Sequence, residues 1–234
     1  MQRGLYIVLG VLAGYALFGT YAAFGFAAVI VNLFTPLPAA FVGMRLGSAA
    51  GGMTVALTLL VVLLTGGQAQ GVIYLVQFGI PGAALPWFLN RGMAWDKAVV
   101  VVLSVMVAAS VGGLLIFSVA AGESPLAMTG SLIDKEIAQT STVMQEMFAG
   151  TDLPADQREE IARAVENMAA FLQKAYPGIV MTVAGLMILG LVLMLALLAR
   201  GRYTLPGKNF PEWKAPEPLV WFLILSGFTV AFAA

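Results

Sequence analysis

The sequence predicts an all-α, polytopic transmembrane helical bundle of about seven spans, carrying an amphipathic helical hairpin outside the membrane between spans five and six. Two observations predict it. Of 234 residues, 60% are hydrophobic and only 10% charged, with a mean hydropathy of +0.93, whereas a soluble domain carries about 25% charged residues to stay dissolved. The apolar residues also fall in runs of about 18 or more, long enough to cross a bilayer as helices.

The chain opens Met1-Gln2-Arg3 and then stays apolar almost to Thr35. That is too long for the core of a cleavable signal, so it reads as an uncleaved anchor. Residues 4–44 are nearly all apolar, and about 20 residues make one crossing, so the stretch is expected to hold two spans. Their turn is placed near Gly19-Thr20 or Gly25, and Pro36 and Pro38 kink the second. The rival reading, one span over 4–34, buries Arg45 in the next span at a cost of a few kcal/mol. Span three is expected over about Gly47–Thr65, followed by the polar turn Gly66-Gly67-Gln68-Ala69-Gln70. Span four covers about Val72–Leu89, broken by Pro81-Gly82 and Pro86. The loop Asn90–Lys97 leads into span five, Ala98–Ala120. Span six runs from Pro177 to about Leu198. A basic loop, Arg200 to Pro216, precedes the last run, Leu219–Ala234. That run ends on the chain terminus without a polar flank, the pattern expected of a span cut short.

This gives three regions: spans one to five over 1–120, the hairpin over 121–176, and spans six and seven over 177–234. Loop charge sets their orientation, because Lys and Arg are retained on the cytoplasmic side. With two spans in 4–44, Arg3, Arg45, Arg91, Lys97, Arg200, Arg202, Lys208 and Lys214 fall on one face, which is 8 of the 12 basic residues. The N-terminus is therefore expected in the cytoplasm of a bacterium, with the chain in its inner membrane. Segment 121–176 holds the other four basic residues against nine acidic ones, a balance of −5. It is assigned to the outside by span parity.

Within it, Ser131 can cap a first helix with an apolar stripe of Leu132, Ile133, Ile137, Met144, Met147 and Phe148. Gly150-Thr151-Asp152 breaks that helix, and Pro154 suits a new first turn. The second helix presents Ile161, Val165, Met168 and Leu172 on one face. Asp156, Glu159 and Glu160 favour its start through the helix dipole, and Tyr176-Pro177-Gly178 is expected to end it. The Ile161–Leu172 stripe either pairs within the hairpin or serves as a partner-binding face.

Composition also bounds function. Net charge is zero, so no basic face for nucleic acid is expected. Cys and His are both absent, which removes thiol chemistry, the usual zinc and haem ligands and the commonest general base. No cofactor, metal site or catalytic residue is expected, and the chain reads as a non-enzyme whose chief partner is the lipid bilayer. No Asp or Glu falls inside a span, so the carboxylate that ion-coupled carriers often use is missing.

Three sets of residues remain as candidates. Asn32 and Gln77 are intramembrane amides, suited to an interhelical hydrogen bond or to substrate contact. Pro81, with Pro36, Pro38 and Pro86, frees carbonyls at membrane depth that can line a pocket. Gly43, Gly47 and Gly51, and separately Gly19, Ala23 and Ala27, recur every four residues and let helices pack closely, within the bundle or against another membrane protein.

The order Pro36-Leu37-Pro38, Met44-Arg45-Leu46-Gly47, Phe78-Gly79-Ile80-Pro81-Gly82, Asn90-Arg91-Gly92, Tyr176-Pro177-Gly178 and Phe210-Pro211-Glu212-Trp213-Lys214-Ala215-Pro216 resembles the YybS-like family of uncharacterised bacterial membrane proteins. In hydropathy the chain is more loosely similar to the substrate-binding membrane subunits of energy-coupling-factor vitamin transporters. That likeness implies a bundle that binds one metabolite and borrows energy from a partner ATPase module. The long segment 121–176 departs from those subunits.

Overall fold

The structure, a computed structural model, describes residues 2–24, 29–122, 124, 127, 130, 155–199, 201–207 and 212–213. The side chains of 21–24, 29, 120–121, 155–162, 165–177 and 179 lie outside that description. The elements are α1 (Gln2–Phe24), α2 (Val29–Asn32), α3 (Leu37–Leu46), α4 (Ser48–Tyr74), a π-helical turn (Leu75–Gly79), α5 (Ile80–Asn90), α6 (Trp95–Ala121) and α7 (Ala155–Ala199). Among the described residues, four helical stretches are long and apolar enough to cross a membrane: Gln2–Thr20, Ser48–Asn90, Trp95–Val119 and Val180–Ala199. A shorter apolar one covers Ile30–Leu46.

The stretch Ser48–Asn90 is 43 residues long, about 65 Å if straight, twice the bilayer core. It is not straight. Gly67 has φ 78° and ψ −174°, left-handed territory that glycine reaches at no steric cost, and the chain reverses there. The register of the two arms follows from contacts on either side. Gly71 packs on Leu63; a Cβ on Gly79 would stand 3.1 Å from Val55 Cγ1; and Asn90 Nδ2 donates to Ser48 Oγ at 3.1 Å. Residues on the two sides of Gly67 therefore pair in reverse order, and the arms run antiparallel. Sequence reading assigns the break to the polar turn at 66–70; the structure confines it to one residue.

The other directions follow likewise. Arg45 lies over the Tyr6 ring, 4.2 Å from its centroid. A Cβ on Gly10 would stand 3.0 Å from Thr54 Cγ2 and 3.1 Å from Val42 Cγ2, and one on Gly14 would stand 3.6 Å from Thr58 Cγ2. So α1 runs parallel to the first arm of α4 and antiparallel to α3. Between α3 and α4 the chain turns on Gly47, with φ 98°, another position that an L side chain would strain.

The ends of α3, α5 and α7 and the starts of α1, α4 and α6 thus meet at one end of the bundle. We call it the basic end, because Arg3, Arg45, Arg91, Lys97 and Arg202 belong to these helix ends or the loops beside them. The strap 201–207 folds across it. Tyr203 donates to Leu195 O at 2.7 Å, Pro206 O accepts from Trp95 N at 3.0 Å, and Trp95 and Trp213 lie 5.4 Å apart. Leu195 lies in the last turns of α7, so this bond ties the strap to the end of that helix.

α7 differs from the sequence reading. A helix end is expected at Tyr176-Pro177-Gly178, but α7 is continuous over 45 residues through Pro177. Pro177 removes one backbone donor and strains one turn. The apolar run that follows cannot leave its amides unpaired in hydrocarbon, so the helix continues regardless. The first half of the expected hairpin, 131–154, lies outside the described residues.

Candidate functional site

Pro36 and Pro38 do more than kink their segment. α2 stops at Asn32, residues 33–36 form a turn, and α3 starts at Leu37. Both prolines lack an N–H. Thr35 N reaches Asn32 O and Leu37 N reaches Phe34 O, so among the described residues no amide is directed at Leu33 O or Thr35 O. Thr35 Oγ1 donates to Asn32 Oδ1 at 2.7 Å, which ties the amide side chain across the gap.

The break lies near mid-depth. Thr35 O approaches Gly14, which is level with Thr58. Thr58 is ten residues along α4 from the basic end, about 15 Å or half the hydrocarbon core. A second irregularity faces it: the π-helical turn Leu75–Gly79 runs into Pro81. A Cβ on Gly82, next to Pro81, would stand 3.3 Å from Pro36 O. π-turns inside helices are frequent at functional sites.

Around this junction four hydroxyls are buried: Thr35, Thr54, Thr58 and Tyr74. Thr54 donates to Ala50 O and Thr58 to Thr54 O, each at 2.9 Å. The Tyr74 side chain lies next to Thr58, whose own proton goes to Thr54 O. No buried side-chain N or O among the described residues lacks a partner. Tyr74 and Phe78 pack edge-on against Phe18 of α1, at 5.5 and 5.9 Å.

The sequence candidates are distributed as follows. Asn32 is half-buried at the α2–α3 break, and Pro81 is buried beside it. Gln77 lies in the π-helical turn but is exposed on the outer surface of the bundle. Gly43 and Gly51 form a close backbone approach: a Cβ on Gly51 would stand 2.8 Å from Gly43 Cα, and one on Gly43 would stand 2.8 Å from Pro86 Cβ. Gly47 has open space around it and serves the turn, and Gly19 is likewise free of neighbours. Ala27 and the side chains of Ala23, Ile161, Val165, Met168 and Leu172 lie outside the described residues. Sequence reasoning missed Thr35, Thr54, Thr58 and Tyr74. The four-residue spacing of Thr54 and Thr58, one turn beyond Gly51 on the same face, was the available signal.

Between the junction and the basic end the bundle is filled. Leu85, Leu89, Val102, Ile188 and Leu195 are fully buried, and Asn90 Nδ2 closes the end by donating to Gly43 O at 3.0 Å. A ligand at the junction would therefore enter from the opposite end or laterally. A family model, Predicted membrane protein (DUF2232), matches residues 13–234. The chain belongs to the DUF2232 family. Membership makes it a membrane protein in contact with the lipid bilayer. No curated protein and no solved structure matches it.

Proposed function

We propose that this membrane protein binds a small molecule at the junction of its two helix breaks and serves as a transporter component without energy coupling of its own. The observation that carries the reading is the contact between the α2–α3 break and the Pro81-Gly82 segment at mid-depth. Irregular backbone at that depth is costly and is found where it lines a cavity or is buried in protein, and carriers build substrate sites from such discontinuous helices. The filled half below the junction confines the site to the far half. The loose likeness to energy-coupling-factor substrate-binding subunits belongs to this proposal, as does a non-enzymatic role. The test is purification in mild detergent followed by mass spectrometry of what co-purifies. A reproducible metabolite, lost in the variant Asn32→Leu, is the expected result; preparations free of metabolite sink the reading.

The accompanying topology is seven spans in a bacterial cytoplasmic membrane: α1, α2 with α3, the two arms over 48–90, α6, Val180–Ala199, and the run 219–234. Gathering of the basic residues at one end supports a cytoplasmic N-terminus. Because the chain has no Cys, single-cysteine variants need no background removal. An impermeant maleimide should label Ser124→Cys in intact spheroplasts and Lys97→Cys only after lysis; the reverse pattern would invert the topology.

One observation favours a second reading, an envelope scaffold. The apolar part of α7 is its last 20 residues, so 25 of its 45 precede it, a rod of about 37 Å. With the partner half of the hairpin, that rod would present a docking surface. A stable protein partner without a metabolite in the same purification supports it.

A further inference from the structure

Resting on the binding reading above, we infer that the ligand class is uncharged and carries a hydrogen-bond acceptor beside a donor, as in a lactam, a nucleobase or a primary carboxamide. The first ground is charge. No Asp, Glu, Lys or Arg occurs in 4–44, 46–90, 98–122 or 178–199, which hold every element around the junction. A ligand ion there would be desolvated with no countercharge within the bundle, and a lone ion in a low-dielectric site is held only when paired.

The second ground is the hydrogen-bonding capacity left over. The Thr35 hydroxyl is committed to Asn32 Oδ1, Thr54 to Ala50 O and Thr58 to Thr54 O. Two neighbouring groups keep unused capacity among the described residues. Asn32 Nδ2 retains its donors, and Leu33 O has lost its amide donors to Pro36 and to the Leu37–Phe34 bond. Asn32 and Leu33 are both half-buried, so they remain accessible. The Thr35 bond holds the Asn32 side chain with its oxygen turned inward, which leaves the nitrogen to the ligand. A donor beside an acceptor complements the edge of a lactam or carboxamide, whereas a carboxylate offers acceptors only and would meet Leu33 O unfavourably.

The test uses the full-length protein in detergent and a panel of uncharged lactams and carboxamides (uracil, nicotinamide, benzamide) matched to the carboxylates nicotinate and benzoate. Thermal unfolding and direct binding by calorimetry are both read. Uncharged members are expected to raise Tm and bind, with at least tenfold weaker binding in Asn32→Leu and unchanged binding in Asn90→Ala. Asn32→Ala also removes the donors with a smaller side chain; it should fold and lose binding. Stabilisation by the carboxylates instead overturns the ligand class while leaving a binding site in place. Binding that survives Asn32→Leu overturns the assignment of the donor. No response to any uncharged member overturns the inference, and only metabolite-free preparations would overturn the binding reading with it.

Discussion

The two halves of the bundle, divided at the level of Thr35 and Thr58, are built on different terms. Towards the basic end, α3 is buried along most of its length, and Leu85, Leu89, Val102, Ile188 and Leu195 fill the space around it. Gly43, Gly51 and Gly82 there meet backbone at van der Waals contact or closer. Towards the far end, residues 63–70 of α4 are all exposed, Ile116 and Val119 of α6 are 72% and 80% exposed, and Gly112, Gly113 and Gly185 have nothing near them. Lipid is as apolar as Leu, so helices associate in it through close packing and hydrogen bonds rather than through a hydrophobic effect. The basic half has both, and the far half has little of either. The basic half is therefore a packed plug, and the open space of the described bundle lies on its far side.

The comparison can be broken at its strongest point first. Replacing Gly51 by Leu drives a side chain into Gly43 Cα and should cost upwards of about 3 kcal/mol, seen as loss of the folded peak in detergent or a collapse of Tm. Gly52→Leu, one residue along with open space around it, should leave Tm unchanged. If both variants behave alike, the basic half is not a plug. Next, Leu85→Ala should lower stability by about 2–4 kcal/mol through the cavity it leaves. Leu64→Ala in the far half, at a side chain 78% exposed, should cost under about 0.5 kcal/mol. Asn90→Ala removes the bonds to Gly43 O and Ser48 Oγ and should cost about 1–2 kcal/mol.

The smallest effect sharpens the role of the strap. Tyr203→Phe loses the bond to Leu195 O that ties the strap to α7 and should cost about 1 kcal/mol. Burial raises the Tyr203 hydroxyl above its ordinary value of 10.0, with Arg202 pulling the other way. Since the folded pKa exceeds the unfolded one, the stabilisation is complete below pH 10 and is lost as pH rises through the folded value. Denaturation followed above pH 10 should show this loss in the wild-type chain and a shallower slope in Tyr203→Phe.

Much of the framework was legible because lipid imposes one-dimensional rules. Apolar runs marked the helices, the prolines at 36 and 38 marked the break, and Arg45 and Arg91 marked adjacent helix ends. What stayed hidden depends on partners distant in sequence. Nothing near Gly47 distinguishes a turn glycine from a packing glycine, as Gly43 and Gly51 are; only the backbone at φ 98° does. Nothing near Tyr203 announces Leu195 O, or near Trp213 announces Trp95. Pro177 misled because proline is a reliable stop in water, where the amides it strands can hydrate, and a poor one where the next residues enter hydrocarbon. At the candidate site, Asn32 and Pro81 carried a sequence signal, whereas the threonines around them read as ordinary residues of an apolar helix.

The reversal at Gly67 bears on how the protein is made. From Leu46 to Asn90 no charge intervenes, so neither arm holds a signal of its own to fix its direction. Only Arg45 and Arg91, one at each foot, can do that. On the proposed topology the two arms would enter the bilayer together, as a single looped insertion whose tip crosses uncharged. A lysine placed at the tip by Gln68→Lys, at an exposed side chain, would oppose that crossing during biosynthesis.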